Sequence, residues 1–520
     1  MTIYQTTISA IHRREPYGTA CLLFFFSFLF FCLFRIPAPL NVDTYLYARA
    51  IETFEGPIIH FGYYLIGALC HSLLKPVGVT PLQTLGYMSQ FFGGISVAGI
   101  YVFTFLLTEN RFHSFLSSAI LMFSGAFWLF SIHGEVYVPQ LAFVLLSLTC
   151  LLKMRPLLSS LSIVTAVSIT PTSLLAMVPL CYIMVTHRFD KGQIIYFSVP
   201  IFIAFAMVMA WMGATVIEAF SKAIHAPAIF VEPFSYANLL TLLTYQLMRA
   251  YGNSFNLFCL FAVFGFAVLY LRDKRLWGLM LAFLTPFSAY FLNLGLFSAD
   301  HLIISFIAVS FLGGYGILKL LDKVHASQRT RIIFLTILML FHGLITYERS
   351  IGRQSRYAAE LARVVHALSE KYHPDGILLT DFDFGVIFFS MMGKDYPYSL
   401  LKGSPNEFMM EQKSQGKDEI KMLNDRFWIE FTRLIDVASQ PEFKRLVDKR
   451  PIYLTDRRFW PIGRIQLHKK MRDIFGIQDK REIGRPEKIR EYLAYKLNAD
   501  ISLKKVIDSP LYPVYVMRAK

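Results

Sequence analysis

Asp43 stands in Asn41-Val42-Asp43-Thr44-Tyr45, immediately after the first long hydrophobic run of the chain. A carboxylate at the lip of a membrane helix has two uses. It caps the helix-like run Thr44 to Phe54, or it accepts a proton from a substrate hydroxyl in a cleft with little water. A second acid, Glu135, falls in Ser131-Ile132-His133-Gly134-Glu135-Val136-Tyr137, at the turn between two apolar runs. It is either an acid at a helix N-terminus or a group that orients the base or a substrate hydroxyl. His133 beside it reads as a solvated interface residue. Positive groups on the same side are few: Arg49, Lys75, Lys222 and Arg249, with His60 and His301 as partial members. Each suits a lipid-headgroup anchor or one arm of a cationic clamp on a phosphate. Asp300-His301 opens an apolar run, as a cap or as the rim of a pocket.

The elements that must hold these groups are apolar. Hydrophobic residues make up 55% of the 520 positions and charged residues only 17%, with a mean hydropathy of +0.47. No ordinary soluble domain has that balance, so the chain reads as an integral membrane protein. Runs suited to crossing a bilayer lie at about 19 to 34, 84 to 107, 114 to 131, 136 to 152, 193 to 214, 255 to 271, 277 to 295, 302 to 320 and 332 to 346. The first run has no small-residue cleavage site after it and reads as an uncleaved span. Residues 62 to 75 are short and read as an interfacial helix, whereas 156 to 187 read as two short spans meeting near Pro171. About eleven spans result.

The net charge of +15 invites a nucleic-acid partner until its distribution is examined. Of the 19 Lys and Arg before residue 347, 14 lie in one alternating set of loops, which the positive-inside rule makes cytoplasmic. The charge therefore orients the chain in a membrane, and nucleic acid is excluded. The N-terminus is then inside. Asp43, Glu135, Asp300 and the outer loops 37–83 and 215–253 fall on the opposite face, together with everything after the last span. Within 215–253, the stretches 217–224 and 236–251 read as partly amphipathic helices that roof a site.

The membrane domain is assigned to 1–346 and an extracytoplasmic α/β domain to 347–520. In the latter, 353–372 has the period of an amphipathic helix burying Tyr357, Leu361, Val364, Val365 and Leu368. Runs 376–381, 451–456 and 514–516 read as strands, with a helix at 484–497. Asp381-Phe382-Asp383 and Asp383-Phe384-Gly385 spell fragments of nucleotide-sugar and kinase motifs, but no phosphate loop accompanies them. The acids closing these strands are read as turn formers. The six cysteines, scattered through apolar runs, read as buried small hydrophobes. No cluster with ligand spacing calls for a metal, and no cofactor is expected.

Asp43, then His60 with Gly62 and Tyr63, then Phe127-Trp128 followed by Glu135-Val136-Tyr137, resemble the membrane-embedded GT-C glycosyltransferases. Within that group the chain is most similar to the bacterial branch that looks like protein O-mannosyltransferases, over about residues 15 to 320. The resemblance implies transfer of a sugar from a polyprenyl-phosphate carrier to an acceptor hydroxyl of a protein, lipid or polysaccharide. The reaction would take place on the outer face of a bacterial inner membrane, with inversion at the anomeric carbon. It makes Asp43 the general base and Glu135 an assisting acid. Arg49, His60, Tyr63, Tyr137, Lys222, Arg249 and His301 become the residues that hold substrate or phosphate. A transporter or flippase of lipid-linked glycans, and a non-catalytic membrane assembly partner, are the alternatives.

Overall fold

The computed structural model describes residues 16–36, 42–53, 60–225, 248–294, 300–371, 377–380, 387, 428–430, 451–455, 486–497, 500–509 and 513–519. Two compact units share the chain, one of residues 1–35 and 47–353, the other of 36–46 and 354–520.

The first unit is helical: α1 (Tyr17–Leu33), α2 (Val42–Thr53, from residue 47 on), α3 (Phe61–Leu74), α4 (Pro81–Thr108), α5 (Arg111–Met122), α6 (Gly125–Ile132), α7 (Tyr137–Leu152) and α8 (Pro156–Ile169). A 3₁₀ turn (Pro171–Ala176) leads to α9 (Met177–Thr186), α10 (Lys191–His225), α11 (Met248–Phe255), α12 (Phe258–Arg272) and α13 (Lys274–Leu294). A second 3₁₀ turn (Asp300–Ser305) opens α14 (Phe306–Lys323), and α15 (Gln328–Thr346) closes the set.

The central helix is α4, which packs against α1, α3, α5, α6 and α7. Its start is fixed chemically. Thr80 takes the Gln83 N–H at 3.3 Å, the Gln83 side chain takes the Thr80 N–H at 3.1 Å, and Pro81 stands at the first helical position. Glycines then bring helices together. A Cβ on Gly93 would lie 2.9 Å from the Phe31 ring of α1, and one on Gly94 3.0 Å from Phe24. Between α12 and α14 the contact is reciprocal, because a Cβ on Gly265 would collide with the Leu312 carbonyl and one on Gly316 with the Phe261 carbonyl. Small residues at such crossings are how helices pack where lipid removes the hydrophobic drive.

Three helices among the described residues, Pro81–Thr108, Leu302–Lys323 and Gln328–Lys371, are long and apolar enough to cross a membrane, or four spans if one bent pair counts as one. That bent pair covers the apolar run at 114–131, where α5 and α6 meet at 65°. Six more apolar helices have 10–17 residues. The described helices are thus largely apolar, several of them shorter than a bilayer crossing requires. One break was legible as Pro171. Thr170 before it takes extended angles (φ −153°, ψ 123°), as a residue preceding proline is driven to do, and α8 stops. One other expectation changes, and one lies mostly outside the described residues. Residues 215–225 stay in α10 instead of forming a separate loop helix, and of 236–251 only the part from Met248 is described, as the start of α11. The apolar helix α15 ends at Thr346, as the run 332–346 leads one to expect, and a π turn (Tyr347–Gly352) joins it to α16 (Arg353–Lys371).

In the second unit, α16 buries Ala358, Leu361, Val364, Val365 and Leu368, while Tyr357 is half-buried. The sheet consists of β1 (Ile377–Thr380), β2 (Trp428–Glu430), β3 (Ile452–Thr455), β4 (Ile501–Ile507) and β5 (Val514–Ala519), in the order β2-β1-β3-β5-β4, with helix α17 (Pro486–Leu497) before β4. Strand β1 runs parallel to both β2 and β3, with Leu379 opposite Leu454, and β5 is antiparallel to β3 and β4. Polar contacts stitch α16 to the strands: the Tyr453 hydroxyl donates to the Lys371 carbonyl at 2.8 Å, and Lys371 Nζ to the Val506 carbonyl at 2.9 Å. Asp381, Asp383 and Asp456 lie outside the described residues.

Candidate functional site

The site begins where α8 breaks. The Ile169 carbonyl is left outside the helical ladder by the turn at Thr170, and His60 Nδ1 meets it at 2.8 Å. That bond seats the start of α3 on the end of α8. The seat is tight, since a Cβ on Gly62 would collide with Ser168. His60, proposed from sequence for phosphate, therefore has a structural bond on one ring nitrogen.

Helix α2 lies along α3. The Tyr47 ring stands 5.6 Å from His60, 5.3 Å from Tyr63 and 6.0 Å from Tyr64. One turn on, Ile51 fills the space that Gly67 leaves. Asp43 is one turn before Tyr47, so it continues the 47 and 51 stripe of α2 towards its N-terminus. Its carboxylate is exposed in the first helical turn, where an acid also complements the helix dipole. Arg49 is half-buried on the same helix.

Glu135 is nearly inaccessible, at 1% exposure, in the loop between α6 and α7. Its N–H donates to Ser89 Oγ of α4 at 3.2 Å and to the His133 carbonyl at 2.9 Å. Tyr63, fully buried, is within electrostatic reach of the Glu135 carboxylate and of Ser89. His133 is buried too, which corrects its reading as a solvated interface residue, because the loop folds down onto α4.

Thus His60, Tyr63 and Glu135 belong to one cluster. Tyr137 opens α7 half-buried, with its ring 5.8 Å from Phe130. Arg249 is on α11, which packs against α6, and His301 is on the 3₁₀ turn 300–305, which packs against α7. The backbone carrying these two residues therefore touches the two helices that flank Glu135. Tyr251 ties that turn to α11 through a 2.6 Å hydrogen bond with Ser305. Lys222 is near the C-terminal end of α10. Among the described residues no group of three or more His, Cys, Asp or Glu side chains could hold a metal ion.

Sequence reasoning missed the wall of this cluster. Gly86, Ser89, Gln90 and Gly93 recur at helical spacing, so α4 presents one small and polar face along an otherwise apolar helix. On that face lie Arg35, Glu135, the Cys32 thiol (3.2 Å from Gln90 Oε1) and Ser131. The usable signal was polar residues one turn apart inside an apolar run, which is costly unless they have work to do.

No protein-family model matches the chain, and no curated protein sequence does. Solved structures do match. ArnT from Cupriavidus metallidurans in the apo state superposes at a TM-score of 0.52 with 10% identity, covering 96% of this chain and 98% of that one. ArnT bound to undecaprenyl phosphate gives the same score and identity over 96% and 97%. The fold is GT-C. At that identity the GT-C likeness is one of fold and carries no residue correspondence. The Archaeoglobus fulgidus oligosaccharyltransferase AglB, in complex with an inhibitory peptide and a dolichol-phosphate, has a TM-score of 0.46 with 11% identity, over 84% of this chain and 69% of that one.

Proposed function

We propose that the protein is a GT-C glycosyltransferase of the branch resembling bacterial protein O-mannosyltransferases. It moves a hexosyl or pentosyl group from a polyprenyl-phosphate carrier to an acceptor hydroxyl of a protein, lipid or polysaccharide. In this reading the chain crosses a bacterial inner membrane about eleven times. The N-terminus is cytoplasmic, and the unit after residue 353 is on the same outer face as the reaction.

The acceptor oxygen attacks the anomeric carbon from the side opposite the phosphate. Its proton passes to Asp43 as the C–O bond forms. The bond from the anomeric carbon to the phosphate oxygen breaks with its electron pair, and the configuration inverts. A phosphate leaves without needing a general acid, so the site requires one base and a positive environment for the departing charge. Glu135 orients the acceptor or the sugar hydroxyls, with Tyr63 and Tyr137 beside it. Arg49, Lys222, Arg249, His60 and His301 are the groups assigned to substrate and phosphate.

The observation that carries this reading is the buried Glu135, pinned to α4 beside Tyr63 within a GT-C fold. In support, the ArnT structure of the same fold was obtained with undecaprenyl phosphate bound. The exposure of Asp43, which extends the Tyr47 stripe, supports its choice as the base. The decisive experiment incubates purified Asp43→Asn and wild-type protein with a panel of polyprenyl-phosphate sugars and reads products by mass spectrometry. Transfer by wild type and none by Asp43→Asn, with equal membrane insertion, is the expected result. Near-normal transfer by the variant would sink the assignment of the base.

A further inference from the structure

We infer that Arg35 is a further cation that receives the phosphate of the lipid-linked donor, an assignment that rests on the transferase reading above and adds to the groups named there. Arg35 follows α1 and its guanidinium lies over the Tyr87 ring of α4, 4.7 Å from the centroid. Arg35 also runs beside Gly86, its Nε in ordinary contact distance, 3.9 Å, of where a Cβ at 86 would be. Among the described residues no carboxylate pairs with it. A guanidinium held over a ring keeps N–H donors to offer, and its fork suits a phosphate.

Its surroundings point the same way. Glu135 hangs on Ser89, and the positions on α4 that meet Arg35 and the carboxylate loop, Gly86 and Ser89, are three residues or about 4.5 Å apart along the helix axis. Gln90 adds a donor: its Oε1 takes the Cys32 thiol, and its Nε2 is buried with no hydrogen-bond partner. Arg35 lies close enough to Cys32 for its charge to act on that thiol. A guanidinium, a buried amide donor and an acid on one helical face form a place where a phosphate is held while the sugar hydroxyls reach Glu135.

The test uses the full chain in nanodiscs of zwitterionic phospholipid, with undecaprenyl phosphate and phosphate-free undecaprenol as competing probes. Wild type is expected to prefer the phosphate. Arg35→Gln should weaken binding of the phosphate by about tenfold or more, the range for hydrogen bonds to a charged group, and leave the alcohol unchanged. Arg35→Lys should fall between, because it keeps the charge and loses the fork. An Arg35→Gln protein that keeps the wild-type preference overturns the assignment. So does one that loses retention of phosphatidylglycerol to the same degree, which would make Arg35 a general interfacial anchor. If Arg35→Gln misfolds, Gln90→Leu decides, with severalfold weaker binding of the phosphate supporting the site and unchanged binding overturning it. Wild type that prefers neither lipid fails at an earlier point, since it removes the donor reading itself.

Discussion

The backbone N–H of Glu135 donates to the side chain of Ser89 at 3.2 Å, joining the loop between α6 and α7 to the middle of α4. Forty-six residues separate the two, and both are buried. A carboxylate with its own backbone fixed in this way has little freedom to swing, which is what orientation of a substrate group demands.

Ser89→Ala should therefore act on two levels. Losing one buried hydrogen bond costs about 1 kcal/mol of stability, read as a small fall in the thermal midpoint of the detergent-solubilised protein. Transfer should fall further than stability does, mainly in kcat, as Glu135 loses its register. A variant with wild-type kcat would show that the bond only braces the loop.

His60 gives a second contrast. Replacement by Asn keeps a donor near the Ile169 carbonyl, while Ala leaves that carbonyl uncompensated, at a cost of about 1 to 3 kcal/mol. Thermal unfolding should rank wild type, His60→Asn and His60→Ala in that order. Equal stability of all three would return His60 to a role in binding alone.

At the α12–α14 crossing, Gly316→Val must push the Phe261 backbone away, because no flexible side chain is there to yield. Overpacking of this kind costs about 1 to 3 kcal/mol or more. Size-exclusion profiles and yield after membrane extraction should deteriorate, whereas Gly18→Ala, which meets nothing within 4 Å, should behave as wild type.

In the second unit the forked bond from Arg363, 2.7 and 2.9 Å long, holds the Glu360 carboxyl below the usual carboxylate range, with Ser509 adding to the effect against some burial. A depressed folded value means that the charged form stabilises the fold above the ordinary carboxylate value, and that this stability is lost as pH falls through the depressed one. Glu360→Gln should loosen α16 at neutral pH, seen as faster amide exchange there, and the two proteins should converge in acid. A difference that persists undiminished in acid would assign the effect to packing.

Much of this was legible where a residue has a strong local preference. Pro171 announced its break, the period of Leu361, Val364, Val365 and Leu368 announced the buried face of α16, and the apolar runs at 377–380 and 452–455 announced two strands. Where context decides, the residues were silent. The 65° bend falls at Ser124-Gly125, a small pair of the kind that breaks helices without a proline, and it lies inside a run that reads as one apolar stretch. The stretch 217–224 reads as a separate helix of an outer loop, yet nothing interrupts the helix formers before it and α10 simply continues. Strand β4 hid behind Lys504 and Lys505, and β2 is only three residues long. Arg35 and Ser89 went unnoticed because each is ordinary alone and acquires meaning only on a shared face of α4.

The bond between His60 and the Ile169 carbonyl makes two distant positions answerable to each other. His60 is useful there only while Pro171 keeps α8 from continuing, and the break at Pro171 is tolerable in a dry interior only while a donor such as His60 covers what it exposes. Positions 60 and 171 should therefore drift as a pair: a change at one is harmful by itself and becomes neutral when the other changes with it.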